Sequence, residues 1–189
     1  MHERKKSDMG KSLFTDADVR IIHLPPMTVA SVHVVGQAAD GAHAELTSAV
    51  LLGACMRAVN LRVIHPAARL FGFNNPDGVP DDDPAHGYER WVSIPDGMQV
   101  PAPLVKKQLA SGLYAAHVIP MGAWEKGWLP LHHWGDHSEA YDFRWGSVDG
   151  VCGWLEEHLH TWDWYEDGEG KALQVDLLLP IQPRGDAVR

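Results

Sequence analysis

Two stretches of this chain share one plan, so any fold it adopts must accommodate that plan twice. Residues 19–36 (VRIIHLPPMTVASVHVVG) and 105–122 (VKKQLASGLYAAHVIPMG) have equal length. Each opens with a short extended run and breaks, at Pro25-Pro26 or at Ser111-Gly112. Each then continues as a β-rich run that ends in glycine. In this register Val19, Ala30, Val32 and Gly36 fall on Val105, Ala116, Val118 and Gly122. A helical stretch follows each, and later a strand ending in proline, YERWVSIP and then LQVDLLLP. Repetition of element order is the mark of an internal repeat. It predicts one domain over 18–183, made of half-units at about 18–104 and 105–183, after a disordered tail over 1–17. Two packed half-units meet at a seam, and pockets favour seams.

The remaining periodicities fill in an α+β fold, with an antiparallel sheet, helices on one face and the pocket at the seam. Leu46, Val50, Gly53 and Met56 recur at helical spacing within 42–60 and predict a largely buried helix. Arg69–Phe73 and Tyr88–Pro95 read as strands separated by the turn signal Asn74-Asn75-Pro76-Asp77-Gly78. In the second half Val105–Gln108 and Gly112–Pro120 are extended. Trp124, Trp128 and Leu131 share a helix face. Val151–Thr161 reads as a short helix with Leu155, Leu159 and Trp162 on one side. Leu173–Ile181 closes the fold as a nearly all-apolar strand, predicted to be central or covered.

Charge and composition narrow the partners. The net charge of −9 argues against a nucleic-acid surface, which needs clustered Lys and Arg. No apolar run approaches a membrane span, and the polar start of the chain has no apolar signal-peptide core, so a cytoplasmic protein is expected. Cys55 and Cys152 lie far apart in apolar surroundings and read as free thiols. His132, His133 and His137 lie close together but lack a third ligand of matching spacing, and Asp81-Asp82-Asp83 reads as a solvated loop; no metal is expected. No GxGxxG, Walker or GxSxG sequence supports a cofactor or a serine nucleophile.

The chemistry is carried by aromatic residues and carboxylates. Of eight tryptophans, six lie from Trp124 to Trp162, a density that points to a pocket for a flat apolar or cationic ligand. In the strand at Tyr88, alternation places Glu89, Trp91 and Ser93 on one face. A carboxylate buried beside an indole would have a raised pKa and act as general acid or base, or pair with a ligand cation. If it carries such strain, removing its charge should leave stability unchanged or raise it. In Trp154-Leu155-Glu156-Glu157-His158 the two glutamates point apart, so one of them at most reaches a pocket.

The segments RLFGFNNPDG, GYERWVSIP, SGLYAAHVIP and WLEEHL resemble the GyrI-like family, stand-alone relatives of the effector-binding domains of some bacterial transcription activators. The resemblance spans about 18–183. It implies two strand-helix-strand-strand units about a pseudo-two-fold axis. The FGFNNP and GYE.W segments resemble a subgroup in which some members hydrolyse the cyclopropane ring of cyclopropanoid DNA-alkylating compounds. Other relatives bind flat cations around a buried glutamate and aromatic rings without catalysis. The resemblance implies such a hydrolase here first, and a non-catalytic module that sequesters or senses flat cations as the alternative. Carried onto this chain, the resemblance implies ligand contacts at Phe73, Tyr88, Trp91, Trp134, Trp154 and Glu156. It implies catalytic roles for Glu157, Glu89 and Tyr114, with Glu157 favoured over Glu156. No DNA-binding helices precede the domain in this sequence, so the partner expected is a flat aromatic or cationic small molecule.

Overall fold

A computed structural model describes residues 13–38, 41–144, 154–160, 162 and 173–185. Strand β1 (Arg20–Leu24) is cut from β2 (Met27–Val35) by Pro25-Pro26. Two prolines cannot donate to a ladder, so the chain leaves one strand pairing there and enters another. Helix α1 (Ala44–Ala58) and the single turn α2 (Leu61–Ile64) lead to β3 (Leu70–Asn74) and β4 (Gly87–Ser93). Next come β5 (Val105–Leu109), β6 (Gly112–Pro120) and α3 (Trp124–His137). The described chain closes with β7 (Tyr141–Phe143), β8 (Leu155–His158) and β9 (Gln174–Pro183).

All strands join one sheet in the order β1-β6-β9-β8-β3-β4-β2-β5, with β7 paired to β9 off this path. Every pairing is antiparallel. The order is palindromic about the β8–β3 contact: β4, β2 and β5 on one side mirror β9, β6 and β1 on the other. The sequence repeat appears here as β1 against β5 and β2 against β6, with matching lengths of five and nine residues. The paired glycines behave alike as well. Gly36 and Gly122 follow β2 and β6 at φ +77° and +84°, a region open to glycine without steric cost.

Register separates the two faces. The row Ala30, Val92, Leu70, His158, Val175 and Ile119 crosses the sheet on the helix side. Here α1 covers β2 and β4 through Leu52 and Met56, while α3 covers β6 and β9 through Leu131 and Trp134. The neighbouring row, Ser31, Trp91, Phe71, Glu157, Asp176 and Val118, lies on the opposite face. That face has its own core of Leu24, Val29, Phe71, Trp91, Leu109, Tyr114, Leu155 and Leu178. Leu24 of β1 and Leu109 of β5 come from opposite ends of the sheet order, so the sheet curls to bring its ends together.

Two sequence expectations give way. WLEEHL is the strand β8 where a helix was expected; positions 151–153 and 161 of that stretch, with Cys152, lie outside the described residues. Hydrogen bonding to both β3 and β9 satisfies its backbone, and this outweighs the modest helix preference of Leu and Glu. Helix α1 turns only part of the expected side inward: Gly53 and Met56 are buried, but Leu46 and Val50 are not. Leu46 and Val50 are each 59% exposed, and the buried face is Ala44, Ser48, Ala49, Leu52, Gly53 and Met56. Small residues let the helix lie close to the sheet, so the larger pair points away. Cys55 is a free thiol, as expected. No helix among the described residues is long and apolar enough to cross a membrane.

Candidate functional site

The carboxylates picked out in the sequence end up in different environments. Glu89, on β4, is fully buried but heavily bonded. Ser31 Oγ and Trp91 Nε1 each donate to its Oε1 at 2.5 Å, Asn75 Nδ2 donates to Oε2 at 2.8 Å, and Lys107 Nζ forms an ion pair with it. Burial opposes its charge, but Lys107 and the three other donors outweigh burial and hold its pKa below the usual value. Glu157, on β8, pairs with Arg69, whose Nε and Nη2 donate at 2.6 Å each in a bidentate fork. Both glutamates lie on the face away from the helices, with Trp91 and Tyr114. Tyr114 is buried in that core, and burial raises its pKa. Trp134, on α3, donates its indole N–H to Asp16 Oδ1 at 2.8 Å and packs into the helix-side core.

Glu156 stands apart from these. As the neighbour of Glu157 on a strand it faces the helix side, where Tyr88 Oη donates to its Oε2 at 2.5 Å. Register explains the reach: Gly72 of β3 lies level with both Arg90 and Glu156, and Tyr88 leans from β4 across Gly72 to β8. A Cβ on Gly72 would collide with the Tyr88 hydroxyl, so the missing side chain makes this crossing possible. The guanidinium of Arg90 stacks 4.7 Å from the centre of the Tyr88 ring. It donates to the carbonyl of Glu45 and to Ser48 Oγ, and its Nη1 lies 3.1 Å from His158 Nε2. Burial keeps His158 neutral, its pKa well below the ordinary value, and the nearby Arg90 adds to this.

Electrostatically Glu156 is poised. Burial pushes its pKa up to about 7; hydrogen bonds from Tyr88 and Trp128 and the charge of Arg90 oppose the rise without cancelling it. Burial likewise raises the Tyr88 hydroxyl well above its usual pKa, and the Glu156 charge adds to this. Beside the pair is a cavity of about 130 Å³ lined by Phe73, Asn74, Asp77, Trp128, Trp154 and Glu156. Cavities of roughly 150 Å³ elsewhere take up a single benzene ring, so this one is the size of one aromatic ring. Trp128 and Trp154 have ring centroids 4.8 Å apart, and His132 lies 4.5 Å from Trp154. The buried indole N–H of Trp154 has no acceptor among the described residues. Of the residues named from the sequence, the cavity thus gathers Phe73, Trp154 and Glu156, with Tyr88 bonded to Glu156. It adds Trp128, Asn74 and Asp77.

Trp128 sat in the sequence on a helix face with Trp124 and Leu131, and nothing there told a core tryptophan from a pocket wall. Asp77 sat in a turn signal that accounts for a carboxylate without any ligand. Glu45, Asp81 and His86 also meet. His86 Nε2 lies 2.7 Å from Glu45 Oε1, and its Nδ1 lies 3.2 Å from the Val79 carbonyl. Burial disfavours charge on His86, but Glu45, Val79 and Asp81 outweigh it and raise its pKa. This is an ion-paired histidine bridging α1 to the loop before β4.

Residues 20–181 match the family described as integron-associated effector binding protein. Among solved structures, the C-terminal domain of EcmrR aligns with a TM-score of 0.60 at 9% identity, covering 87% of this chain and 96% of that one. Two Listeria innocua structures, one of a conserved protein and one of a protein described as a hydrolase, align at TM-scores of 0.59 and 0.57. Each is 13% identical and covers 87% of this chain and 92% of the other. Comparison with curated proteins gives no match. At such identities these likenesses speak for the fold.

Proposed function

Because the chain belongs to the GyrI-like family of integron-associated effector-binding proteins, we propose that its seam cavity binds a small aromatic cation with Glu156 as counter-ion. The carrying observation is the carboxyl of Glu156, buried against Tyr88 at the wall of a cavity flanked by Trp128 and Trp154. No basic side chain is among the described residues that line it. Its carboxylate is costly to keep charged even with Arg90 nearby, and a ligand cation adds a direct ion pair. Two indole faces add cation–π attraction of roughly 0.5–2 kcal/mol each. Glu89 and Glu157 already hold protein cations, which leaves Glu156 as the glutamate for a ligand. A tryptophan-fluorescence titration with benzylamine tests this. Saturable quenching should weaken strongly in Glu156→Gln, and an unchanged curve in that variant would place the site elsewhere.

A second reading is a hydrolase that opens the strained ring of cyclopropanoid DNA-alkylating compounds, a detoxification. It is favoured by the hydrogen bond from Tyr88 to Glu156 and the pKa of about 7 at Glu156. A group that titrates near neutrality can both take and give a proton. Ring opening by water breaks one C–C bond, adds hydroxyl to the electrophilic carbon and leaves a proton on the conjugated system. Glu156 would accept the water's proton, and Tyr88, whose one O–H is donated to Glu156, would hold that carboxylate in position. A multi-ring alkylator exceeds the cavity, so Trp128 or Trp154 would have to swing aside. Incubation with such a compound, followed by mass spectrometry, should show a gain of one water that Tyr88→Phe and Glu156→Gln each abolish. A rate equal to that in buffer removes this reading and leaves the binding one standing.

A further inference from the structure

The cavity beside Glu156 has a second acidic group. Asp77 lines it from the loop after β3, while Glu156 lines it from β8. Asp77 is exposed and Glu156 is half-buried, its charge disfavoured by burial, so one carboxyl stands nearer the solvent and the other further in. Asp77 Oδ1 accepts the Gly78 N–H at 2.8 Å, which fixes the carboxylate in its turn. Among the described residues, no basic side chain joins Phe73, Asn74, Trp128 and Trp154 in the lining. One positive charge at Glu156 would leave the acid at the mouth unmatched.

We propose that the ligand is a dication: one aromatic ring bearing two basic nitrogens at opposite ends, the inner one at Glu156 and the outer one at Asp77. This rests on the cation reading of the cavity and narrows its ligand class. The aromatic ring lies against the indoles of Trp128 and Trp154. The outer ammonium meets Asp77 at the rim, where the side-chain amide of Asn74 offers a further acceptor. Because Asp77 is exposed, the outer contact is weak and salt-sensitive, and selectivity for two charges over one is modest.

Benzylamine and para-xylylenediamine differ by one aminomethyl group and serve as probes. Their dissociation constants are measured by calorimetry at low salt and at neutral pH, on the whole protein, for the parent and for Asp77→Asn. The diamine, after a twofold statistical correction, should bind about threefold to fivefold tighter than the monoamine, as expected of one exposed ion pair. Asp77→Asn should remove that preference, lowering the affinity of the diamine more than that of benzylamine. Equal corrected affinities in the parent, or a preference that survives Asp77→Asn, would overturn the proposal while leaving the cation site intact. If neither amine binds at millimolar concentration to folded protein, the cation reading falls, and the dication with it.

Discussion

Glu156, Gly72 and Glu89 carry opposite expectations for stability and binding. Its raised pKa means that between about pH 4.5 and 7 the folded protein holds a proton that the unfolded chain has released. Folding stability therefore falls as pH rises through this window. Glu156→Gln lacks that slope. At about pH 8 it should be as stable as the parent or more so, by up to a few kcal/mol, since each tenfold change in proton affinity is worth about 1.4 kcal/mol. The difference should shrink towards zero near pH 4.5, and thermal melts across this range measure it. Gly72→Ala should instead cost both stability and ligand affinity, because its Cβ expels Tyr88 from Glu156. Glu89 behaves in the reverse way. Buried as it is, removal of its charge was expected to be harmless, but its oxygens hold Lys107, Ser31, Trp91 and Asn75. Glu89→Gln should destabilise by roughly 1–3 kcal/mol at neutral pH. Its folded pKa is depressed, so that contribution is present above the unfolded carboxylate pKa and disappears as pH falls through the folded one. A Glu89→Gln melt equal to the parent's at pH 7 contradicts this.

At the scale of elements, most strands were legible from alternation and breakers, and the one that matters most was not. β8 has four residues, too few for alternation to outweigh Leu and Glu, which read as helix. The repeat itself held the missing signal. Carrying the register of Val19 on Val105 forward lays β3 onto 156–160, over most of β8. Misreading β8 also hid which glutamate faces which way. On a helix Glu156 and Glu157 diverge by an angle that decides little, whereas on a strand they take opposite faces of the sheet. Part of the inward face of α1 was misread for a related reason: periodicity gave weight to Leu46 and Val50, while contact with the sheet selected Ala44, Ser48 and Ala49. The two faces of α1 can be told apart by mutation. Val50→Ala should change stability by no more than about 0.5 kcal/mol, and Leu52→Ala should cost about 2–5 kcal/mol. Similar losses in chemical denaturation for both would return Val50 to the core.

Across the whole molecule, the palindromic sheet places its centre at β3–β8, and the cavity draws its lining from both sides of that contact. Phe73, Asn74 and Asp77 come from the first half, and Trp128, Trp154 and Glu156 from the second. A ligand there binds only when both halves are assembled, so it should stabilise the fold by about 2.7 kcal/mol at a hundredfold excess over its dissociation constant. The central claim is that the ionised Glu156 recognises a cation at this seam. The most direct test is the pH dependence of benzylamine affinity between about pH 6 and 8, where the amine stays charged. Burial holds His158 and His132 below their ordinary pKa and Tyr88 above its own, so Glu156 is the group beside the cavity whose charge changes. Affinity should rise with pH and level off above about 7 in the parent, and stay low and flat in Glu156→Gln. A flat profile in the parent, or the same rise in the variant, would contradict the account.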